Sequence, residues 1–225
     1  MNKHNLILLG PQGSGKSTQA KMLVQHLGMI HVDMGSALRT IAKKDTYLGR
    51  QVNEIMNVRK ELVSDELVSK ILHHVIGDID DDQGIILDGA PRKESQIQSV
   101  ERVLADYDRT IDKAIFINIP TEVSVARIAS RFACSLCSKA YVIDANEQLT
   151  HDLSCSECGG QLEQRVDDTP EGVRKRLAVF AKETTPVIEH YRAIGKLLEV
   201  DGTKTAEEIY HDIVAGILAS IEEAK

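Results

Sequence analysis

The stretch GPQGSGKS, residues 10–17, decides how this chain is organised. It follows the apolar run at residues 6–9 and precedes a stretch with apolar residues at helical spacing. Glycines permit a tight turn, and the start of the next helix directs unpaired N–H groups and a positive dipole end at the loop. The spacing is that of a phosphate-binding loop, in which Lys16 reaches the terminal phosphates and the Ser17 hydroxyl sits on Mg²⁺. A chance glycine-rich turn is the alternative, and the flanking strand and helix argue against it.

Length and charge limit the class of protein. The chain has 225 residues, of which 42% are hydrophobic, so it can form one principal domain with room for inserted subdomains. Its formal charge of −7 means that the surface as a whole repels nucleic acid and anionic lipid, and we expect neither as a partner. No secretory or membrane-spanning segment is evident, which predicts a cytoplasmic protein.

Strand and helix patterns alternate along the chain. Apolar runs predict five strands, at residues 6–9, 29–32, 84–88, 114–119 and 197–200. Helical spacing between them predicts an α/β fold, a P-loop three-layer αβα arrangement around a five-stranded parallel sheet. Ligands are expected at the carboxyl ends of the strands, where the loop and Asp88 both lie.

Two stretches depart from a simple alternation. Residues 36–77 predict helix in pieces, with breaks near Asp45, Gly49 and the polar residues 57–61, and so form a small helical subdomain. Residues 132–168 change to cysteines, glycines and mixed polar residues, which marks a second insert.

The predicted helices around the second insert carry several expectations. The helix that begins at residues 120–121 should place Arg127 and Arg131 four apart on one face. After the insert, Thr169 and a following proline predict a helix running to about Tyr191, with a kink or boundary at Pro186. Residues 205–208 read as a capping box before the last helix.

Four cysteines form two C-x-x-C pairs at a spacing typical of a four-thiolate zinc site. Since four thiolates leave no open position, such a zinc would be structural. A redox pair or disulfides are the alternatives, less suited to a reducing compartment. The predicted metal ligands are Cys134, Cys137, Cys155 and Cys158.

Charged residues provide the remaining evidence for function in the sequence itself. Asp88 ends an apolar run as a Mg²⁺-associated acid does in phosphate-loop enzymes, although an ordinary strand-terminal aspartate has the same position. No Ser-His-Asp order stands out, and transfer onto a phosphate acceptor needs positioning and charge neutralisation rather than a base. A clamp for several phosphates is predicted from the arginines Arg39, Arg92, Arg127, Arg131, Arg165, Arg174 and Arg176.

In order along the chain, these motifs resemble the adenylate kinase family, in its long form with a zinc-containing lid. The matching blocks are residues 10–18, 34–39, 62–68, 87–92 with Gln96, 127–131, the four cysteines, 165–168, 174–176 and 201–204.

The resemblance implies a domain plan, an activity and cofactors. A core domain would comprise residues 1–32, 64–130 and 169–225, with a helical insert at 33–63 that binds the monophosphate and a zinc-binding lid at 131–168. The implied activity is transfer of a phosphoryl group from ATP to AMP with Mg²⁺, giving two ADP. A monomer is expected.

The resemblance also implies roles for individual residues. The implied catalytic residues are Lys16, Asp88, Arg92, Arg127, Arg131, Arg165 and Arg176. The implied ATP site comprises Gly13, Ser14, Gly15, Lys16, Ser17, Thr18, Arg127, Tyr141 and Lys204. The implied AMP site comprises Met34, Gly35, Arg39, Val63, Gly89, Arg92, Gln96, Arg165 and Arg176.

Three departures from the family pattern concern the monophosphate side. Met34 stands where the family has threonine, Ala90 replaces the phenylalanine of Asp-Gly-Phe-Pro-Arg, and residues 57–61 are one residue longer and lack a glycine. Loss of a hydrogen-bonding group in a base pocket can change specificity by orders of magnitude. A UMP/CMP-type or relaxed monophosphate kinase therefore stays open, as does a nucleotide sensor with little turnover, while Gln96 favours adenine.

Overall fold

A parallel sheet organises the chain, and the phosphate loop leaves it at the end of the first strand. The computed structural model describes residues 4–59, 63–137, 140–143, 154–164 and 168–223. Its strands are β1 (Asn5–Leu9), β2 (Ile30–Asp33), β3 (Ile85–Asp88), β4 (Lys113–Asn118), β5 (Arg131–Cys134), β6 (Ala140–Val142), β7 (Leu162–Glu163) and β8 (Leu197–Asp201). Its helices are α1 (Lys16–Leu27), α2 (Met34–Ala42), α3 (Tyr47–Asn53), α4 (Asp65–Ile76), α5 (Glu94–Ala105), α6 (Thr121–Ala129), α7 (Pro170–Val179), α8 (Thr185–Ala193) and α9 (Ala206–Glu223), with π-helical segments at Glu54–Arg59 and Phe180–Thr184.

Five of these strands form the parallel sheet, in the order β2-β3-β1-β4-β8. Because side chains alternate along a strand, Leu6 and Leu8 pack on one face with α1 and α9, and Ile7 and Leu9 pack on the other with α4, α5 and α8. The predicted α/β class and five-stranded parallel sheet are confirmed. The strand order reverses on either side of β1, where a doubly wound sheet binds ligands.

The helical stretch after β2 differs from its prediction at Gly49. The break near Asp45 is confirmed, because α2 ends at Ala42 and Thr46 caps α3 by accepting from the Gly49 amide. The predicted break at Gly49 is wrong, since this glycine lies inside α3 and is buried. A Cβ atom there would lie 2.0 Å from the Lys44 carbonyl oxygen, so the glycine serves a close approach of two backbones.

Beyond α3 the polar stretch at residues 57–61 is only partly described. Its first residues belong to the π-helical segment Glu54–Arg59, and residues 60–62 lie outside the described part of the chain. Helix α4 then begins behind a Ser64 cap that accepts from the Leu67 amide.

The cysteine-containing insert forms a small antiparallel sheet of its own, in the order β6-β5-β7. The prediction that Arg127 and Arg131 share a helical face is wrong. Helix α6 ends at Ala129, and Arg131 is the first residue of β5. The apolar run that continues from Phe132 to Cys134 is part of the small core of this sheet, which favours strand over a longer helix.

The last third of the chain largely follows its prediction. Thr169 caps α7 by accepting from the Gly172 amide. The single helix expected to reach Tyr191 is interrupted by the π-helical segment Phe180–Thr184, and Pro186 lies in the first turn of α8, where its missing N–H is tolerated. Thr205 and Glu208 exchange hydrogen bonds as a capping box. Among the described residues, no helix combines the length and the apolar character needed to cross a membrane.

Candidate active site

The phosphate loop joins β1 to α1 at the carboxyl edge of the parallel sheet. Gly10 has φ of 153°, and a Cβ atom there would lie 2.6 Å from Ser14 Oγ and 2.7 Å from the Ile117 carbonyl oxygen. A side chain at this position would therefore clash with Ser14 and with the backbone of β4. Gly15 caps α1 in a left-handed conformation, and Ser17 and Thr18 are exposed in the first helical turn. This arrangement directs helix N–H groups at one point, which suits an anion.

Lys16 lies over its own loop. Its Nζ atom donates to the carbonyl oxygens of Gly10 at 2.7 Å and Pro11 at 2.9 Å, with Ser14 Oγ at 3.5 Å. Burial lowers the pKa of Lys16 to about 8, the charges of Arg92 and Arg131 act in the same direction, and the charge of Asp88 opposes them. A cation held with so little hydration is ready to exchange loop carbonyls for phosphate oxygens.

Asp88 ends β3 beside the loop and is buried. Burial alone would raise its pKa, but contact with His31 and the charges of Lys16 and Arg92 outweigh burial, so the pKa lies below its ordinary value. His31 Nε2 lies 3.5 Å from Asp88 Oδ2, a close polar contact rather than a well-aligned hydrogen bond. Asp88 is thus held as the carboxylate, the form that fits a magnesium ion or its bound water.

Arg127 connects the loop to the residues that follow β8. Its Nη1 atom donates to the carbonyl oxygens of Gly13 at 3.2 Å and Gly202 at 2.9 Å. One turn earlier on α6, Ser124 Oγ donates to the Gln12 carbonyl oxygen at 2.5 Å. Lys204, two residues beyond Gly202, pairs through Nζ with Asp212 at 2.7 Å. These contacts place Arg127 at the border of the loop, and Lys204 lies two residues beyond the Gly202 carbonyl that Arg127 contacts.

A second pocket lies beyond β3. Its volume is about 50 Å³, and a larger pocket of about 220 Å³ adjoins it across Met56. Of the residues predicted for the AMP site and described here, all but Gly35 and Arg176 line one of these pockets, with Arg39 at the larger one. The lining residues of the first pocket are Met34, Leu38, Met56, Val63, Val68, Gly89, Arg92 and Gln96.

Polar groups meet at one end of this pocket. Gln96 is buried, and its Oε1 atom accepts from the Arg92 amide at 2.8 Å. Arg92 Nε donates to the Gly89 carbonyl oxygen at 3.0 Å. Arg39 lines the larger pocket and faces Asp33, with Arg39 Nη2 and Asp33 Oδ2 3.7 Å apart. Two guanidinium groups beside the apolar walls of the first pocket suit a phosphate attached to a flat ring.

Asp168 holds two further arginines at the base of the cysteine-containing insert. Its Oδ1 and Oδ2 atoms accept from Arg131 Nη2 at 2.9 and 2.8 Å, and Oδ2 also accepts from Arg131 Nε at 3.1 Å. Arg176 Nη2 donates to Oδ1 at 2.7 Å. The side chain of Asp168 is only 1% exposed. Arg165, predicted to join this group, lies outside the described residues.

The four cysteines come together, and none of them forms a disulfide. All four sulfur atoms lie within 4.8 Å of one another, with Cys134 3.4 Å from Cys158 and Cys137 3.5 Å from Cys155. A tetrahedron with sulfur 2.3 Å from its centre has edges of about 3.8 Å, so this donor set fits zinc. Among the described residues it is the only such cluster.

Tyr141 lies on the cysteine cluster. Its hydroxyl is 3.1 Å from both Cys155 Sγ and Ser156 Oγ, and it accepts from the Ser156 amide at 3.2 Å. The contact with Tyr141 lowers the pKa of the Cys155 thiol to about 6, and burial opposes this shift. The described contacts of Tyr141 are therefore with the cysteine knuckles, while the resemblance implied a role at ATP.

Sequence reasoning did not single out Asp168, His31, Asp33 or Ser124. Asp168 belongs to the matched block at residues 165–168, so its neighbourhood carried a signal. Asp33 ends a short strand at the ligand edge of the sheet and His31 lies two residues before it, which is a positional signal only. Ser124 carried none, because an exposed and a buried serine look alike in one helical sequence.

The strand, loop and helix around Lys16, with an arginine-bearing apolar pocket beside them, define a P-loop kinase of nucleoside monophosphates. The family model described as adenylate kinase matches residues 8–196. The adenylate kinase of Syntrophotalea carbinolica is 39% identical over 212 residues, covering 94% of this chain and 97% of that protein. That of Archaeoglobus fulgidus is 40% identical, covering 94% and 96%. The chain belongs to the adenylate kinase family.

Proposed function

We propose that this chain transfers the terminal phosphoryl group of ATP reversibly to AMP, giving two ADP. The observation that carries this proposal is that two sites suited to anions lie side by side at one edge of the sheet. They are the Lys16 loop after β1 and the arginine-flanked pocket after β3. Because β1 and β3 pair directly, the two places are adjacent. The family of the chain supports the same reaction.

On the donor side, we assign the phosphates of ATP to the loop. Residues 13–18 offer amide and hydroxyl donors, and Lys16 exchanges the carbonyls of Gly10 and Pro11 for β- and γ-phosphate oxygens. Arg127, fixed by two carbonyl oxygens, stays beside the loop and neutralises charge that develops during transfer. The backbone near Lys204 borders the adenine in this proposal.

On the acceptor side, we assign AMP to the pocket lined by Met34, Val63 and Gln96. Apolar walls hold the base, and Gln96 reads its edge through the amide group. Arg39 and Arg92 take the phosphate, with Gly35 and Gly89 allowing close approach. The acceptor oxygen is already ionised, so no general base is required, and none is assigned.

Arg131, Arg165 and Arg176 are proposed to complete the charge around the transferring group. Asp168 holds Arg131 and Arg176 in fixed orientation, which reduces the reorganisation needed when substrate arrives. Their place at the base of the cysteine-containing insert supports the proposed division into core, a helical insert at residues 33–63 and a lid at 131–168. Exclusion of water by that lid would favour transfer to AMP over hydrolysis.

Two metal ions belong to the proposal. Mg²⁺ would bind with ATP near Ser17 and Asp88 and neutralise phosphate charge, and the ionised state of Asp88 supports this. Zn²⁺ would bind the four cysteines and hold together a sheet whose own core is small.

A panel of nucleoside monophosphates with ATP tests the function. Purified protein should form ADP fastest with AMP, measured as kcat/KM for AMP, UMP, CMP and GMP. The fully buried Met34 in the base pocket favours a second candidate, a UMP/CMP-type or relaxed kinase. Higher kcat/KM for UMP or CMP than for AMP would establish that candidate instead.

Titration of ATP and AMP without turnover tests the remaining alternative. Binding of both nucleotides with no ADP at high enzyme concentration would indicate a sensor. Cytoplasmic location, a monomeric state and the absence of nucleic-acid or membrane partners stay predictions.

A further inference from the structure

Asp33 lies at the junction between a strand and the acceptor pocket, where no role has been assigned to it. It is the last residue of β2 and the N-cap of α2. Its Oδ1 atom accepts from the Ser36 amide at 2.9 Å, while Oδ2 lies 3.7 Å from Arg39 Nη2. One carboxylate thus serves two neighbours, a helix end and a guanidinium.

Two glycines show how close this carboxylate lies to the proposed phosphate position. A Cβ atom on Gly35 would be 3.2 Å from both Arg39 Nη1 and Asp33 Oδ1. A Cβ atom on Gly89 would be 3.1 Å from Arg92 Nη2 and 3.6 Å from the Gly35 amide nitrogen. The carboxylate and both guanidinium groups therefore surround one small space.

The contact between Asp33 and Arg39 differs from the contact between Asp168 and Arg131. Asp168 accepts three hydrogen bonds of 2.8 to 3.1 Å from Arg131, which fixes the guanidinium plane. Asp33 and Arg39 are 3.7 Å apart, beyond hydrogen-bond distance, with side chains 33% and 48% exposed. Such a contact acts through charge and does not by itself fix the orientation of Arg39.

The charge of Asp33 also reaches the second arginine. Burial lowers the pKa of Arg92, whereas the charges of Asp88 and Asp33 act in the opposite direction. Asp33 and Asp88 are register partners on β2 and β3, so two carboxylates end adjacent strands here. A phosphate that enters between Arg39 and Arg92 meets fixed negative charge as well as positive charge.

We infer that Asp33 is a specificity-determining residue of the acceptor pocket. Its carboxylate competes with the phosphate of the monophosphate for Arg39 and so weakens the binding of the monophosphate. The inference rests on the proposed function, because that function assigns the phosphate to Arg39 and Arg92. Removing the charge of Asp33 strengthens the binding of the acceptor and leaves the rate of phosphoryl transfer unchanged. The helix cap is separable from the charge, since asparagine and serine are also good N-caps.

The substitution Asp33→Asn tests the inference, because it removes the charge and keeps a cap. We expect KM for AMP, and the dissociation constant of AMP measured by calorimetry, to fall roughly three- to tenfold. KM for ATP should change by less than about twofold. Adenosine as a competitor of AMP should keep its inhibition constant, because it lacks the phosphate that Asp33 repels.

Three variants control the experiment. Asp33→Ser is neutral and keeps a cap, so it should repeat the effect if Asp33→Asn folds poorly. Asp33→Glu keeps the charge and should stay near the wild type. Asp45→Asn removes the same charge from an exposed ion pair with Arg50 and should leave both KM values unchanged.

An unchanged or raised KM for AMP in both neutral variants would overturn the inference, and a rise would show that Asp33 positions Arg39. Equal shifts for AMP and ATP, or for AMP and adenosine, would indicate a structural role and also overturn it. Failure of the proposed function is seen separately, in wild-type protein that neither binds AMP nor forms ADP from it.

Discussion

The phosphate loop holds Lys16 with its own backbone, whereas the acceptor pocket is assembled from three separated parts of the chain. The partners of Lys16 lie within six residues of it. In the pocket, Met34 belongs to α2, Met56 to a π-helical segment and Gln96 to α5. Local backbone therefore determines the geometry of the donor side, and tertiary packing determines that of the acceptor side.

The two regions also balance their charges differently. The described hydrogen bonds of the loop lysine are to uncharged oxygen atoms, and the carboxylate of Asp88 acts on it through charge. In the acceptor region the carboxylate of Asp33 faces Arg39. A change in the loop should therefore abolish the reaction, while changes in the pocket should tune affinity and specificity.

The largest effect is expected from Lys16→Met. Loss of the only loop cation removes neutralisation of the transferring group, and we expect kcat to fall by about a thousandfold or more. The thermal midpoint should change little, because β1 and α1 are held by the sheet and by apolar burial rather than by this side chain. Steady-state kinetics and thermal unfolding measure the two effects.

Lys204→Met is the matched control, since it removes a lysine from an exposed ion pair at the border of the donor side. Its kcat should stay within about tenfold of the wild type. Near-normal turnover in Lys16→Met would remove the loop from the mechanism.

The contrast between the regions explains what could be predicted from the sequence. The loop, the five strands and the cysteine cluster follow from spacing within short segments, and each is as predicted. Gly49 was mistaken for a break because only its contact with the Lys44 carbonyl explains it. The helix expected to carry Arg131 ends at Ala129, and a short apolar run does not distinguish strand from helix.

The polar partners within the site depend on tertiary structure even more. Asp168 meets Arg131 across 37 residues, and His31 meets Asp88 across two strands. No spacing rule relates such residues. The positions of the arginines along the chain predicted a phosphate clamp and the family resemblance assigned their roles, while the carboxylates that orient or oppose them emerged only from the fold.

A smaller effect, confined to the acceptor side, is expected from Gln96→Glu. Glutamate can still accept the hydrogen bond from the Arg92 amide but no longer offers an amide donor to the base. We expect KM for AMP to rise about 10- to 100-fold, with KM for ATP nearly unchanged. Initial rates with each nucleotide varied in turn provide both constants.

Gln98→Glu, on the exposed face of the same helix, controls for the added charge. Parallel increases in KM for AMP and ATP would contradict the assignment of Gln96 to the acceptor base.

Removal of zinc should affect the donor side more than the pocket. The cysteine-containing sheet has a small core, so chelation should lower its stability and shift the thermal midpoint down by several degrees. Since the proposed lid closes over ATP, KM for ATP should rise severalfold and KM for AMP less. Metal analysis before and after chelation, with restoration of KM by added zinc, makes the measurement specific. Much less than one zinc per chain, with unchanged kinetics, would argue against the site.

The smallest expected effect is a pH dependence that belongs to the loop alone. Burial lowers the pKa of Lys16 to about 8 in the free protein, while bound phosphates favour its charged form. Binding of ATP must therefore take up a proton above that pH, and the affinity for ATP should fall about threefold between pH 7.5 and 8.5. Phosphate groups titrate near pH 6 and are fully ionised in this range. The affinity for AMP, which depends on Arg39, Arg92 and Gln96, should stay constant in this pH range.

Calorimetric titration of each nucleotide across this pH range measures the difference, and Lys16→Met should abolish the slope for ATP. An equal slope for both nucleotides would mean that the two regions share a titrating group, and a flat profile for ATP would mean that Lys16 stays charged throughout.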